Sequence, residues 1–184
     1  MKKIFAFIFS LLLSVSLSAQ EQDSNNKHFS VGIEQDILPY IFNGNFSCFW
    51  VGYDHFRLRG IKAKVTKPDF VLAKGFTKNR VDAYAVLIDY FPNTDFSEYW
   101  GTVGLVYWDG WIEDKNTNFS KQFDSFLLSF GAGYNWKFYQ NFYLSPWAAV
   151  HVRVGGPSKV PVGSSVFEPP ILNPEGSLKI GWYF

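Results

Sequence analysis

The sequence of 184 residues is poor in charge, in cysteine and in long apolar runs. Charged residues form only 18% of the chain, and 17 basic against 16 acidic residues leave no basic excess to hold nucleic acid. A single cysteine, Cys48, excludes an internal disulfide and a cysteine-based zinc site. No stretch after residue 20 reaches the roughly 18 consecutive apolar residues of a membrane-spanning helix.

Aromatic residues are what the sequence has in excess. The chain contains 20 Phe, 10 Tyr and 7 Trp, together 20% of its residues. This composition, with a mean hydropathy of -0.05, excludes a disordered chain, a coiled coil and a disulfide scaffold. The length is enough for one domain, or for two very small ones.

The first nineteen residues are predicted to be a cleaved secretory signal peptide. Lys2 and Lys3 precede a twelve-residue apolar run over 4–15, and small residues lead up to Ala19. A membrane anchor is the alternative, but the run is short for a hydrocarbon core of about 30 Å. Residues 20–184 then form one exported domain, in which we expect Cys48 to pack as a small hydrophobic side chain.

Period-two alternation dominates the rest of the sequence and predicts strands with two unlike faces. The last segment is the clearest, because Leu178, Ile180, Trp182 and Phe184 all fall on one face. Eight strands are predicted, over residues 28–36, 46–55, 57–67, 80–91, 99–108, 125–135, 143–153 and 175–184.

The alternation of the earlier strands is noisier. In 57–67 we assign Ile61 and Val65 to the apolar face, which leaves Lys62 and Lys64 on the other. Segment 80–91 is ambiguous, and its apolar face is assigned to Tyr84, Val86, Ile88 and Tyr90.

The connectors alternate between short and long. The short ones are 54–57, 91–97 and 137–141, and the long ones are 37–44, 68–79, 109–122 and 155–170. Short and long connectors therefore lie at opposite ends of a strand meander, with both termini at the short end.

The less apolar face identifies the kind of sheet. It is rich in Gly, Ser, Thr and large aromatics and has few charges for a solvated surface, which is typical of the inside of a narrow barrel. The apolar face would then contact lipid, where every backbone polar group must be paired and the sheet must close. We predict an all-β, closed, eight-stranded, antiparallel up-and-down transmembrane β-barrel; a soluble aromatic-rich barrel or sandwich is the alternative.

The placement of the aromatic residues supports a membrane. Every short turn is flanked by them, which predicts an interfacial girdle there. Its members are Tyr53, Phe56, Tyr90, Phe91, Phe96, Tyr99, Trp100, Trp136, Phe138, Tyr139, Phe142, Tyr143, Trp182, Tyr183 and Phe184. A sparser set is expected at the other rim: Phe46, Tyr107, Trp111, Phe123 and Phe126. Four tryptophans are expected to fill the lumen: Trp50, Trp100, Trp108 and Trp147.

This pattern resembles the small outer-membrane β-barrels of diderm bacteria, the OmpA/OmpX/OmpW-type proteins. The ending Leu178, Ile180, Trp182 and Phe184 resembles the C-terminal signal read by the outer-membrane insertion machinery. The resemblance implies a monomer in an outer membrane, with membrane lipid and that machinery as partners. It brings no family-specific functional motif.

Charged side chains that parity directs into the lumen are the candidate functional residues. They are Glu34, Lys62, Lys64, His151, Arg153, Glu175 and Lys179. Arg153 and Glu175 are predicted to pair, and Glu34 could join them. The set is either a structural salt-bridge network or a functional group of residues that forms a polar pathway or a small-ligand site.

No catalytic, metal or cofactor site is predicted. His28, His55 and His151 are scattered, and no serine lies two residues from His151 on its strand. The loop 67–80 mixes basic and apolar residues, so it either contacts lipopolysaccharide or is a solvated loop. The apolar loop 37–44 either plugs the barrel mouth or binds something apolar.

The leading functional hypothesis is a non-enzymatic outer-membrane protein with a side-chain-filled lumen and an envelope-structural or surface-interaction role. The alternative is a conduit or binding site for small, apolar solutes. A lipid-modifying enzyme is the third hypothesis.

Overall fold

The computed structural model describes residues 29–184, so the predicted signal peptide and His28 lie outside the described residues. Eight long strands, two short strands and two short helical segments follow one another. In chain order they are β1 Phe29–Asp36, α1 Ile37–Ile41, β2 Asn45–Tyr53, β3 Phe56–Lys67, a 3-10 turn Asp69–Val71, β4 Phe76–Tyr90, β5 Glu98–Asp114, β6 Ser120–Tyr139, β7 Phe142–Gly155, β8 Val160–Val162, β9 Ser165–Phe167 and β10 Leu172–Tyr183.

The eight long strands close into an antiparallel barrel, which confirms the predicted fold. Each strand pairs with its neighbours in sequence, and β1 pairs with β10 from Gly32 opposite Tyr183 to Asp36 opposite Lys179. Because the first and last barrel strands pair with each other, the sheet has no unpaired edge strand. No helix in the described part of the chain is long and apolar enough to cross a membrane.

The wall is much taller on one side than the sequence predicted. Strands β5 and β6 extend to Asp114 and from Ser120, so most of the predicted loop 109–122 is a continuation of their hairpin. The extension is stable because inward residues such as Ile112 and Phe123 remain buried. The predicted loop 155–170 contains a second small hairpin, β8–β9.

Burial alternates along the barrel strands, and the faces agree with the prediction except in β3. In the ambiguous segment 80–91, Leu87 and Asp89 point inward while Val86 and Ile88 are exposed, so the chosen assignment is confirmed. The prediction for β3 was wrong: Arg57 and Arg59 are buried, and Lys62 projects outward with Lys64.

Turn geometry explains the error in β3. A two-residue turn places Tyr53 directly opposite Phe56, and residues opposite each other share a face of a sheet. Both aromatic rings are exposed, so the next residue, Arg57, must point inward. Alternation from that point turns Lys62 and Lys64 outward.

Four of the fifteen predicted girdle residues lie inside the barrel. Phe91, Phe96, Trp100 and Tyr143 are buried together with Trp50. The outward girdle includes Tyr53, Phe56, Tyr90, Tyr99, Trp136, Phe138, Tyr139 and Phe142. At the other rim, Phe46 and Phe123 also point inward, whereas Phe126 is exposed.

The apolar loop 37–44 forms the helix α1. The carboxylate of Asp36 caps it by accepting a hydrogen bond from the backbone N–H of Leu38 at 3.1 Å. Ile37, Tyr40 and Ile41 remain exposed, so these side chains do not plug the mouth.

Candidate functional site in the barrel interior

Four charged side chains form a closed ring inside the barrel, on strands that approach the short turns. Glu34 comes from β1, Arg57 and Arg59 from β3, and Asp89 from β4, and none is more than 1% exposed. Arg57 bonds Asp89 at 2.7 Å and Glu34 at 2.8 Å. Arg59 bonds the other oxygens of the same carboxylates, Asp89 at 2.8 Å and Glu34 at 3.3 Å. Positive and negative charges therefore alternate around the ring.

Polar neighbours tie this ring to the far wall. The Tyr143 hydroxyl on β7 donates to Glu34 at 2.8 Å and accepts a hydrogen bond from the Trp50 indole at 3.1 Å. Lys179 on β10 has its ammonium 4.0 Å from Glu34 and 4.2 Å from the centre of the Trp147 ring. The ring thus cross-links strands on opposite sides of the lumen.

The electrostatics make the ring sensitive to the loss of any member. The two arginines and the two carboxylates together carry no net charge. Each of the four contacts two groups of opposite charge, which offset the cost of its desolvation. Removing one member would leave a buried charge without its partner, a loss of about 3–5 kcal/mol in comparable buried pairs.

An aromatic floor lies directly beneath the ring, toward the short turns. Five buried side chains form it: Trp50, Phe91, Phe96, Trp100 and Tyr143. The Arg57 guanidinium lies over it, 4.9 Å from the Phe91 ring centre and 5.3 Å from that of Trp50. The floor closes the short-turn end of the lumen.

Inward glycines make the space that these rings occupy. A Cβ on Gly181 would collide with the Tyr143 ring, and one on Gly52 would collide with Phe96. The glycines of the polar face are therefore packing positions, which is how a narrow barrel accommodates large side chains.

Above the ring the lumen contains smaller polar groups. His151 bonds Glu175 at 3.1 Å, and Asp36 accepts hydrogen bonds from the Trp147 indole at 2.8 Å and from the Ser177 hydroxyl. These contacts link side chains of β1, β7 and β10 across the upper lumen.

A lid closes the loop end. The hairpin β8–β9 contributes Val160, Val162 and Phe167 to a buried cluster with residues at the tall end of the wall. Their partners are Phe76, Ile112 and Phe123. A void of about 10 Å³, room for one water molecule, lies beneath Phe167 and beside Trp108.

Asp114, at the end of β5, holds this lid at the loop end of the barrel. Its carboxylate accepts hydrogen bonds from the backbone N–H of Asn116 at 2.8 Å and from the hydroxyl of Ser164 at 3.2 Å. These hydrogen bonds hold the pKa of the Asp114 carboxyl below its ordinary value, since they stabilise the ionised form.

The predicted lumen network is thus only partly assembled in the structure. Glu34 and Lys179 lie together at the ring, and His151 lies with Glu175 above it. The predicted pair of Arg153 with Glu175 is not formed. Arg153 instead donates to the backbone oxygen of Pro157 at 3.3 Å, because its strand register places it closer to the start of the last loop. The side chains of Lys62 and Lys64 lie on the outer face of the barrel, as described for β3.

Sequence reasoning missed most of the ring. Arg57 was assigned to a turn, Arg59 was given no role, and Asp89 was placed on the inward face but not among the candidates. The signal that could have found them is the length of the turn at 54–55, which fixes the register of β3 against β2.

Ser129 is another inward residue that was overlooked. It lies directly opposite His151 in the β6–β7 register. Its hydroxyl is buried and has no hydrogen-bond partner, and the same is true of the Nδ1 atom of His151. No hydrogen bond joins the two. Within residues 29–184 no group of three or more His, Cys, Asp or Glu side chains could hold a metal ion.

Comparison with known proteins bears on the fold. No protein-family model matches the chain, and no curated protein sequence matches it. Among solved structures, the N-terminal β-barrel domain of Pseudomonas aeruginosa OprF is similar with a TM-score of 0.52 and 12% identity, over 86% of this chain and 100% of that one. Neisserial surface protein A is similar with a TM-score of 0.44 and 12% identity, over 84% and 92%. The likeness to the OprF domain shows an eight-stranded barrel of the same fold.

Proposed function

We propose that this chain is an integral outer-membrane protein whose sealed barrel has a non-enzymatic role in envelope structure or surface interaction. Its outer wall supports a membrane location. Leu105, Val86, Phe130 and Ile88 are each at least half exposed between the girdle and the opposite rim. A contiguous apolar belt of this kind is unsuited to water and fits the hydrocarbon layer.

The observation that supports a sealed barrel is that the lumen is closed at both of its ends. The charge ring and the aromatic floor occupy its centre and its short-turn end, and the lid covers the loop end. A solute could pass only if the ring, the floor and the lid were all displaced. This arrangement supports a rigid anchor that presents its loops, and it counts against the conduit alternative.

Two measurements test the proposal. Membrane fractionation should recover the protein with the outer membrane, and the unboiled protein should migrate faster than the boiled protein on a gel. In planar bilayers the purified barrel should add no steady conductance, with a known porin as the positive control. Recovery in the soluble fraction would reject the membrane role, and steady channel currents would reject the sealed lumen.

A lipid-modifying enzyme is the second candidate, because one observation favours it. Ser129, His151 and Glu175 follow one another across three adjacent strands, the residue types of a serine hydrolase. Against this, Ser129 and His151 are buried beneath the lid and do not bond each other. Mass spectrometry of lipid A from cells that express the wild-type protein or Ser129→Ala tests this candidate. Loss of an acyl chain that requires Ser129 would establish the enzyme.

A further inference from the structure

The small void beneath the lid is lined by two cationic side chains and by no carboxylate. Lys67 reaches it from the end of β3 and Arg153 from the end of β7, two strands on opposite sides of the eight-stranded barrel. Its other polar lining residues are Asn79, Ser125 and Asn173, and the rest of the lining is apolar or aromatic. Two like charges therefore face one enclosed space.

Neither cation has an ion-pair partner within residues 29–184. The Lys67 ammonium lies 3.5 Å from the side-chain oxygen of Asn173 and 4.2 Å from the centre of the Trp108 ring. Arg153 donates to the backbone oxygens of Gly156 and Pro157, and its Nε atom is buried without a partner. Cations that are withdrawn from water without a counter-charge are costly, so this space favours an anion.

The carboxylates nearest to the void do not remove this excess of positive charge. Glu175 of β10 does not line the void, and it is bonded to His151 at 3.1 Å. Even when Glu175 is counted with Lys67 and Arg153, one positive charge is left over. Glu168 follows Phe167 in the lid, but its side chain is 64% exposed and pairs with Lys159 at 3.4 Å.

The size of the void limits what it can hold. Its volume of about 10 Å³ has room for one particle the size of a water molecule, which excludes phosphate and organic acids while the lid is closed. A chloride ion is only slightly larger than water, and the flexible side chain of Lys67 can yield to it. A water molecule in the same place would leave the two cations without a counter-charge.

Asn79 adds a polar group that is suited to this ligand. It lies opposite Lys67 in the β3–β4 register and is 4% exposed, and its Oδ1 atom has no hydrogen-bond partner. The oxygen and nitrogen of a side-chain amide can exchange places by rotation, which would direct an N–H donor toward an anion.

The void also joins the lid to the barrel. The hairpin β8–β9 forms a two-stranded sheet of its own, so no strand ladder ties it to the barrel wall. Phe167 and the following prolines Pro169 and Pro170 nevertheless line the void together with the two cations. Without an anion, Lys67 and Arg153 would repel each other and draw water beneath the lid.

We propose that one small anion, of the size of chloride, binds in this void between Lys67 and Arg153 and stabilises the closed lid. The anion supplies the charge that the lining lacks, and its donors come from both sides of the lumen. The site requires the barrel and its lid, but it does not depend on the proposed membrane role.

Two measurements on the detergent-solubilised protein test the proposal. Anomalous diffraction from crystals in which bromide replaces chloride locates the ion. Amide exchange of β8–β9, followed while chloride replaces gluconate at constant ionic strength, measures its effect on the lid, since gluconate is too large for the void. The variant Lys67→Met removes one cation, Lys67→Arg keeps the charge, and Lys74→Met on the exposed loop before β4 is the matched control.

We expect a bromide peak between Lys67 and Arg153, and lid protection that rises with chloride in the wild type, in Lys67→Arg and in Lys74→Met. In Lys67→Met the chloride concentration for half of the effect should rise at least about tenfold, the loss of one charge-assisted contact. If Lys67→Met does not fold, as shown by an unchanged gel migration on boiling, Arg153→Gln replaces it. No bromide peak in the void, equal lid protection in chloride and gluconate, or an unchanged chloride dependence in the folded test variant would overturn the anion site.

Discussion

The guanidinium of Arg57 bonds the carboxylate of Asp89 at 2.7 Å where neither side chain meets solvent. Because this contact belongs to a closed ring, we expect Arg57→Met to lower the free energy of unfolding by about 3–5 kcal/mol, leaving two carboxylates to share one arginine. Urea unfolding in detergent micelles, followed by tryptophan fluorescence, measures the loss. Arg80→Met, on the outer wall, is the matched control and should change little. Equal losses in both variants would argue against the ring.

The floor depends on a missing side chain at Gly181. We expect Gly181→Ala to destabilise the barrel by about 1–3 kcal/mol, because the new methyl group overlaps the Tyr143 ring. Gly60→Ala places the same methyl group on the open outer wall and should be close to neutral. Thermal unfolding of the two variants, monitored by the gel-migration shift, compares them. A loss confined to Gly60→Ala would contradict the assignment of the two faces.

The lid should loosen in acid. Since the folded pKa of Asp114 is lowered, its stabilising effect is complete above the ordinary carboxyl pKa of about 3.9 and disappears as the pH falls through the folded pKa. We expect amide protection in β8–β9, corrected for intrinsic exchange, to fall below that pH. Asp114→Asn should show reduced protection already at neutral pH. Asp109→Asn, whose carboxylate bonds Gln122 on the outer wall, is the control. Lid protection that is independent of pH and of Asp114 would remove this role.

Thiols at the neighbouring positions 47 and 48 of β2 should differ in how readily a reagent reaches them. Cys48 is 4% exposed and faces the ring, so a water-soluble maleimide should react with it slowly in the folded barrel and quickly in urea. Moving the thiol one residue, in Ser47→Cys with Cys48→Ser, should expose it to a lipid-soluble maleimide from the bilayer side. Similar rates at both positions in the folded state would mean that the strand does not alternate as described.

The eight strands, their order and most of their faces follow from the sequence because alternation is a local signal. Each residue of a barrel strand points either outward or into the lumen, so the sequence of a strand such as β10 shows its two faces without knowledge of its neighbours. The short turns and the aromatic residues beside them likewise depend only on nearby residues.

The interior site could not be predicted in the same way. The contact between Glu34 and Arg57 joins two strands that are separated in the sequence. It depends on the register set by the two-residue turn between Tyr53 and Phe56. A shift of one residue reverses every side chain of β3, which is why Lys62 and Lys64 were placed inside.

The sequence by itself determined that this chain forms a closed barrel with an apolar exterior, since a period of two and a paucity of charge constrain each strand separately. Only the tertiary structure decided what fills the lumen. The charge ring, the aromatic floor and the lid depend on which side chains of distant strands reach the same height, and that follows from register and closure.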